Sequence, residues 1–169
     1  MRSLYKKSPK RELVAINEVI GEMVGMLGSE ARRQSVSIYT DLSDDLPMIV
    51  ADRVQIQQVF MNLMLNRIEA ITDVGGVVTL KSQLGKDGQI EISVNDTGSG
   101  LPLGKADQIF DAFFTETPQG SGMGLAISKS IVESHGGRIW ANGDGDRGAT
   151  FHFTLPAQPA ETKPPVDAA

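Results

Sequence analysis

Cysteine is missing from the 169-residue sequence altogether. That excludes a disulfide framework, a thiolate zinc site and a thiol nucleophile. Histidine occurs only twice, as His135 and His152, too far apart in sequence for a His-rich metal site. No stretch approaches the roughly 18 apolar residues of a membrane-spanning helix, and the N-terminus carries no apolar signal region. Nor is there a surplus of positive charge: 16 Lys and Arg stand against 21 Asp and Glu, a net charge of −5. A mildly acidic chain without a basic block is a poor candidate for binding nucleic acid or an anionic membrane. What is left is an ordinary globular composition, 40% hydrophobic and 22% charged, at a length that can bury a real core as one domain. A cytoplasmic location is expected, in a parent protein that can itself be membrane-anchored.

Glycine is abundant, at 18 residues, and its placement organises the reading. Residues 1–12 read as a linker or the end of a preceding helix. Residues 13–16 predict a short strand. Asn17 then caps an amphipathic helix over 18–33, with Val19, Ile20, Met23, Val24 and Leu27 on one side. Strands are expected at 36–42 and 48–50. Asp52 with Gln55 three residues on has the form of a capping box, opening a long helix to about Ile71. Residues 77–84 and 89–94 form a hairpin around Gly85–Gly88. The stretch 95–124 is irregular and rich in Gly and Pro, which in a compact domain points to function. A helix over 125–134 ends at Gly136–Gly137, and strands at 138–141 and 149–155 follow. The Pro/Ala-rich tail from 157 is expected to be disordered. Helices alternating with hairpins predict an α+β fold: a two-layer sandwich whose mixed, mostly antiparallel sheet is covered on one face.

Three features carry chemistry. The long helix is apolar almost all round, so it should be buried, yet Asn62, Asn66 and Glu69 lie on one face at spacings of four and three. This stripe either lines a pocket and offers oxygens to a hard cation such as Mg²⁺, or caps loops and meets water. Asp96 ends a strand before Thr97-Gly98-Ser99-Gly100. Its carboxylate can accept from a ligand amine while the glycines let the backbone approach, or it can close an Asx turn. The Asp-Thr-Gly triplet also occurs in aspartic proteases, but only one copy is present and the helices do not suit that fold. Finally, Gly120, Gly122 and Gly124 open a helix whose exposed N–H groups and dipole favour an anion. The spacing is neither a Rossmann fingerprint nor a Walker A loop.

In this order the features resemble the catalytic, ATP-binding domain of bacterial sensor histidine kinases, nitrogen-regulatory-type subgroup, from about Leu13 to Pro156. Asn62-Leu63-Met64-Leu65-Asn66 is similar to the family's N box and Asp96–Gly100 to its first glycine box. Residues 109–114, with Phe113 and Phe114, resemble its F box, and 120–125 its second glycine box. The resemblance implies the sandwich fold shared with gyrase, chaperone and mismatch-repair ATPases. It implies Asn66 as a Mg²⁺ ligand, with Asn62, Glu69 and Ala70 beside the nucleotide. It further implies Asp96 as acceptor from the adenine N6 amine, with Gly98, Gly100 and Leu101 shaping that pocket. Residues 111–120 correspond to a lid over the nucleotide. The resemblance also implies Gly122, Met123, Gly124 and Leu125 as the backbone cradle for the phosphates, with Gly120 beside the nucleotide at the end of the lid, and Thr150 near the adenine.

Three departures accompany the resemblance. Arg67 follows Asn66 where the family usually has Ala; it either contacts phosphate or points to solvent. The lid reads Thr115-Glu116-Thr117-Pro118, without the subgroup's lysine. Neither histidine suits a phosphoacceptor. The resemblance therefore implies a kinase catalytic domain that binds ATP and Mg²⁺ and acts on a histidine in a separate dimerisation domain, with a response regulator downstream. The alternative is a nucleotide-binding regulatory or degenerate module. The chain by itself is expected to be monomeric.

Overall fold

Two periodicities build the fold, 2 along the strands and 3.6 along the helices. The computed structural model describes residues 10–71, 75–98, 108–111, 123–143 and 148–157. Along it run β1 (Arg11–Val14), α1 (Ile16–Arg33), β2 (Val36–Leu42), β3 (Ile49–Asp52), α2 (Arg53–Ala70), β4 (Gly76–Leu84), β5 (Gln89–Asp96), α3 (Gly124–Ser134), β6 (Ile139–Gly143) and β7 (Ala149–Pro156). Strands β2-β4-β5-β7-β6 form one sheet. The β2–β4 pair is parallel and the others antiparallel. A separate two-stranded ribbon pairs β1 with β3. This is the mixed α+β sandwich expected from the sequence.

Strand alternation supplies one wall of the core. Val78 and Leu80 of β4, Ile90, Ile92 and Val94 of β5, and Phe151 and Phe153 of β7 are all buried, and along β4 and β5 their neighbours are partly or fully exposed. Helix α2 supplies the other wall through Ile56, Val59, Phe60, Leu63, Met64 and Ile68, with Phe60 edge-on to Phe153 at 5.4 Å between centroids. Burying such side chains contributes roughly 1.5–3 kcal/mol each, so the α2–sheet interface carries a large share of the stability.

Helix starts differ from expectation in an informative way. The N-cap of α1 is Ala15, not Asn17, and no side chain caps it. The Asn17 amide instead donates to the Ser43 carbonyl at 2.7 Å and its oxygen accepts from Ser82 Oγ at 2.8 Å, tying α1 to β4 and the turn after β2. At α2, Asp52 does cap, its Oδ1 accepting from the Gln55 N–H at 3.2 Å. The other half of the box is not made by Gln55: the Asp52 N–H donates to His135 Nε2 at 3.1 Å.

His135 is therefore a structural cap. With Nε2 accepting, its Nδ1 carries the proton and lies 2.9 Å from the Ile131 carbonyl. Burial holds the imidazole below its ordinary value of 6.5, outweighing the Ile131 hydrogen bond. Burial likewise lowers His152, which stacks on Trp140. Both rings are more readily protonated in the unfolded chain. Their contribution is present above the unfolded value of 6.5 and is lost as pH falls toward the folded values. The melting temperature should accordingly hold between about pH 8 and 7 and drop below about 6.5. A His135→Gln/His152→Gln variant should melt lower at neutral pH with a flatter profile in that window. A flat wild-type profile would contradict the neutral cap.

Candidate functional site

The two periodicities meet at one end of the α2–sheet interface. In β5 the inward positions Ile90, Ile92 and Val94 continue to Asp96, which is buried. In α2 the inward run Phe60, Leu63 and Met64 continues to Arg67, one of the largest fully buried side chains among the described residues. Parity and helical phase thus aim a carboxylate and a guanidinium at each other inside the core. Arg67 Nη1 donates to Asp96 Oδ2 at 2.9 Å, and neither side chain is exposed at all. The guanidinium also stands 4.6 Å above the Phe151 ring. Phe110 packs edge-on against the same ring, with centroids 5.9 Å apart.

Arg67 has a second anchor. Its Nε and Nη2 donate to the Oδ1 of Asn66 at 3.0 and 2.6 Å. Successive helix residues do not normally face each other, but the arginine stem is long enough to fold its fork back onto the preceding amide. Of the two alternatives read from sequence for Arg67, solvent exposure is overturned by its burial. Its guanidinium binds Asp96 and Asn66.

Asp96 is held from its other side as well. Its Oδ1 accepts from the Gly98 N–H at 2.7 Å, the Asx turn that the sequence left open. Gly98 is required here, because a Cβ would meet the Ala70 carbonyl oxygen at 2.7 Å. Gly148 is required too: its φ is +82° and a Cβ would lie 2.1 Å from the Asp96 carbonyl oxygen. The carboxylate is therefore clamped where the end of α2, the turn after β5 and the start of β7 close together.

The Asn stripe divides. Asn62 donates to the Gly124 carbonyl at 3.0 Å and to the buried Ser128 Oγ at 3.2 Å, fastening α2 to the first turn of α3. Asn66 is half-buried and Glu69 exposed. Met123 is the N-cap of α3 without a side-chain cap bond, and Leu125 is buried in the core. The N–H groups of α3's first turn have no partner within the helix, and a helix N-terminus of this kind is a favourable environment for an anion.

Thr150 is not brought to this place. Register sets Ala149 opposite Asp96 and Thr150 opposite Asn95. By strand alternation Thr150 faces away from Asp96, accepting from Asn95 Nδ2 at 2.7 Å. Gly100, Leu101, Phe113, Phe114, Gly120 and Gly122 lie outside the described residues. Residues that sequence reasoning missed are Phe151, Ala149 and Ser128. Ser128 was findable, since it lies one turn beyond Gly124 on the same helical face.

A Mg²⁺ ion at Asn66 does not fit this arrangement. An amide oxygen has two lone pairs, and Oδ1 already accepts two guanidinium N–H groups. At a Mg–O distance of about 2.1 Å, the ion would also stand within about 5 Å of a full positive charge.

Residues 51–159 match the family described as histidine kinase-, DNA gyrase B-, and HSP90-like ATPase. The sensor protein FixL of Bradyrhizobium diazoefficiens is 41% identical over 150 residues, covering 88% of this chain and 30% of that protein. The nucleotide-free catalytic domain of the histidine kinase ThkA superposes with a TM-score of 0.76 at 30% identity, over 87% of this chain and 95% of that one. A ThkA complex with the response regulator TrrA gives a TM-score of 0.74 at 29% identity, over 89% and 43%. Full-length ShkA in complex with AMPPNP gives 0.79 at 27% identity, over 89% of this chain and 32% of that chain. The chain spans less than a third of the length of the first curated relatives it matches.

Removing one partner of a fully buried ion pair strands the other, at a cost of about 3–5 kcal/mol. Asp96→Ala should therefore lower the melting temperature by roughly 6–20 °C. The double variant Arg67→Met/Asp96→Leu, with both charges removed, should recover most of that loss. Thermal melts of the three proteins decide it, and a single variant that melts like the wild type would contradict the buried pair.

Proposed function

Because this chain belongs to the histidine kinase-, DNA gyrase B- and HSP90-like ATPase family, as a catalytic domain of the sensor histidine kinase type, we propose that it binds ATP and presents the γ-phosphoryl group to a histidine on a separate dimerisation segment. The observation that carries this is convergence. Three segments far apart in sequence meet at one end of the sheet: the Asn62–Arg67 face of α2, the Asp96–Gly98 turn, and the start of α3 at Gly124. Their chemistry is complementary to ATP. A carboxylate at the end of β5 accepts from an exocyclic amine, and a helix N-terminus favours phosphate. Phosphoryl transfer demands mainly positioning and charge neutralisation.

The phosphoacceptor belongs elsewhere. His135 is buried and engaged through both ring nitrogens. His152 stacks on Trp140, and its Nε2 lies 3.1 Å from Asn142 Nδ2. In this reading residues 1–12 connect to a dimerisation helix pair, 13–156 form the catalytic unit and 157–169 a tail. The unit works as a monomer in the cytoplasm, and a response regulator receives the phosphoryl group downstream. No helix among the described residues is long and apolar enough to cross a membrane. Mg²⁺ would accompany the nucleotide, but in the arrangement described Asn66 Oδ1 is taken by Arg67 and does not hold it.

The Arg67–Asp96 pair favours a second reading, a degenerate module that binds nucleotide weakly without transferring phosphoryl. Incubating the chain with γ-labelled ATP and a FixL-type dimerisation domain separates the two. Label on that domain's histidine supports the kinase reading. Nucleotide binding without label supports the second.

Recognition through Asp96 should also select the base. Guanine presents a carbonyl oxygen where adenine has its N6 amine, so the carboxylate repels what it would otherwise bind. A charge-assisted hydrogen bond of about 1.5–3 kcal/mol predicts a roughly 10- to 150-fold preference for ATP over GTP. Competition titration measures it, and equal affinities would remove Asp96 from base recognition.

A further inference from the structure

The acceptors that the nucleotide-binding reading requires are already in use. We propose that Arg67 is an internal competitor and a specificity-determining residue: its guanidinium occupies the Asp96 oxygen and the Asn66 oxygen that a purine amine and a metal ion would otherwise take. The inference rests on that reading. It adds that nucleotide binds only as Arg67 gives up these contacts.

Stereochemistry carries the argument. The Asp96 side chain has no exposed surface; Oδ1 is bound by the Gly98 N–H and Oδ2 by Arg67 Nη1. Both lone pairs of Asn66 Oδ1 are directed to Nε and Nη2 of the same group. One planar fork thus bridges the carboxylate and the amide, and does so from a site enclosed by the Phe151 face. Arginine suits this role because its donors are fixed in a plane and its charge persists when buried. The backbone frame for a nucleotide, formed by the Gly98 turn and the Asn62–Gly124 link between α2 and α3, rests on hydrogen bonds that Arg67 does not itself make. Arg67 therefore acts on affinity and metal dependence, while the frame remains available.

The test is calorimetric titration of the full chain with ATP, with and without MgCl₂, for the wild type, Arg67→Ala and Arg67→Met. The methionine variant keeps most of the volume in case the smaller residue does not fold, and melts establish which proteins are folded. The expected result is ATP affinity at least about tenfold tighter in the folded variants, with Mg²⁺ strengthening binding more in them than in the wild type. Folded variants that bind ATP no tighter than the wild type overturn the proposal and leave the nucleotide reading intact. Absence of ATP binding in every folded protein overturns both. A second measurement needs no variant. The Arg67 Nε–H should give a slowly exchanging NMR signal in the free protein that shifts or is lost on saturation with ATP. An unchanged signal at saturation overturns the competitor role.

Discussion

A guanidinium without solvent exposure must be answered by an anion, and that requirement governs the end of the molecule where function is proposed. The effective penalty for burying one ion is several kcal/mol, against a total stability of about 5–15 kcal/mol for a domain. Arg67 meets it by binding Asp96 at 2.9 Å and the Asn66 oxygen, with Phe151 below. Each partner comes from a different element, so the position of α2 over β5 and β7 is tied to one side chain. The glycines at 98 and 148 then follow as close approaches around the same carboxylate. Nearby, the α2–α3 link through Asn62 sets the start of α3 beside the stripe.

The general frame was legible in the sequence because it rests on period. The alternation in β4, β5 and β7 and the apolar stripe of α1 are strong local signals, and they yielded the mixed sheet with helices on one face. Caps were less legible. Asn17 has the right residue type for an N-cap, but its amide finds better partners across the fold in Ser43 and Ser82. The Asp52 N–H finds His135, 83 positions away. Local rules do not see such partners, since they are brought near only by tertiary packing.

The solvent-facing reading of Arg67 fails for a related reason. Charged residues are almost never fully buried unless paired, so the prior for a lone arginine points outward. The helical phase of Phe60, Leu63 and Met64 points the other way, and the parity of Ile90, Ile92 and Val94 puts Asp96 on the same inner face. Both phases stood in the sequence; what lay outside it was the superposition of α2 on β5 that makes the two charges meet. Thr150 shows the same limit. A shift of one residue along a strand moves a side chain to the opposite face, and Ala149, not Thr150, falls opposite Asp96.

Family likeness and side-chain chemistry answer different questions here. Similarity at 30% identity and a TM-score of 0.76 fixes the course of the backbone. It does not fix what a carboxylate is bonded to, and one residue following an N-box asparagine is enough to change that. Asp96 consequently carries two demands. As the partner of a buried cation it must stay clamped, and in the proposed role of reading a purine amine it would have to become accessible. A rigid, fully paired carboxylate satisfies the first demand at the expense of the second, the usual tension between stability and function at a site. The strength of the Arg67 pair relative to a nucleotide's contacts therefore determines whether this domain is an ATP-binding unit at rest or one that opens only when its arginine is drawn away.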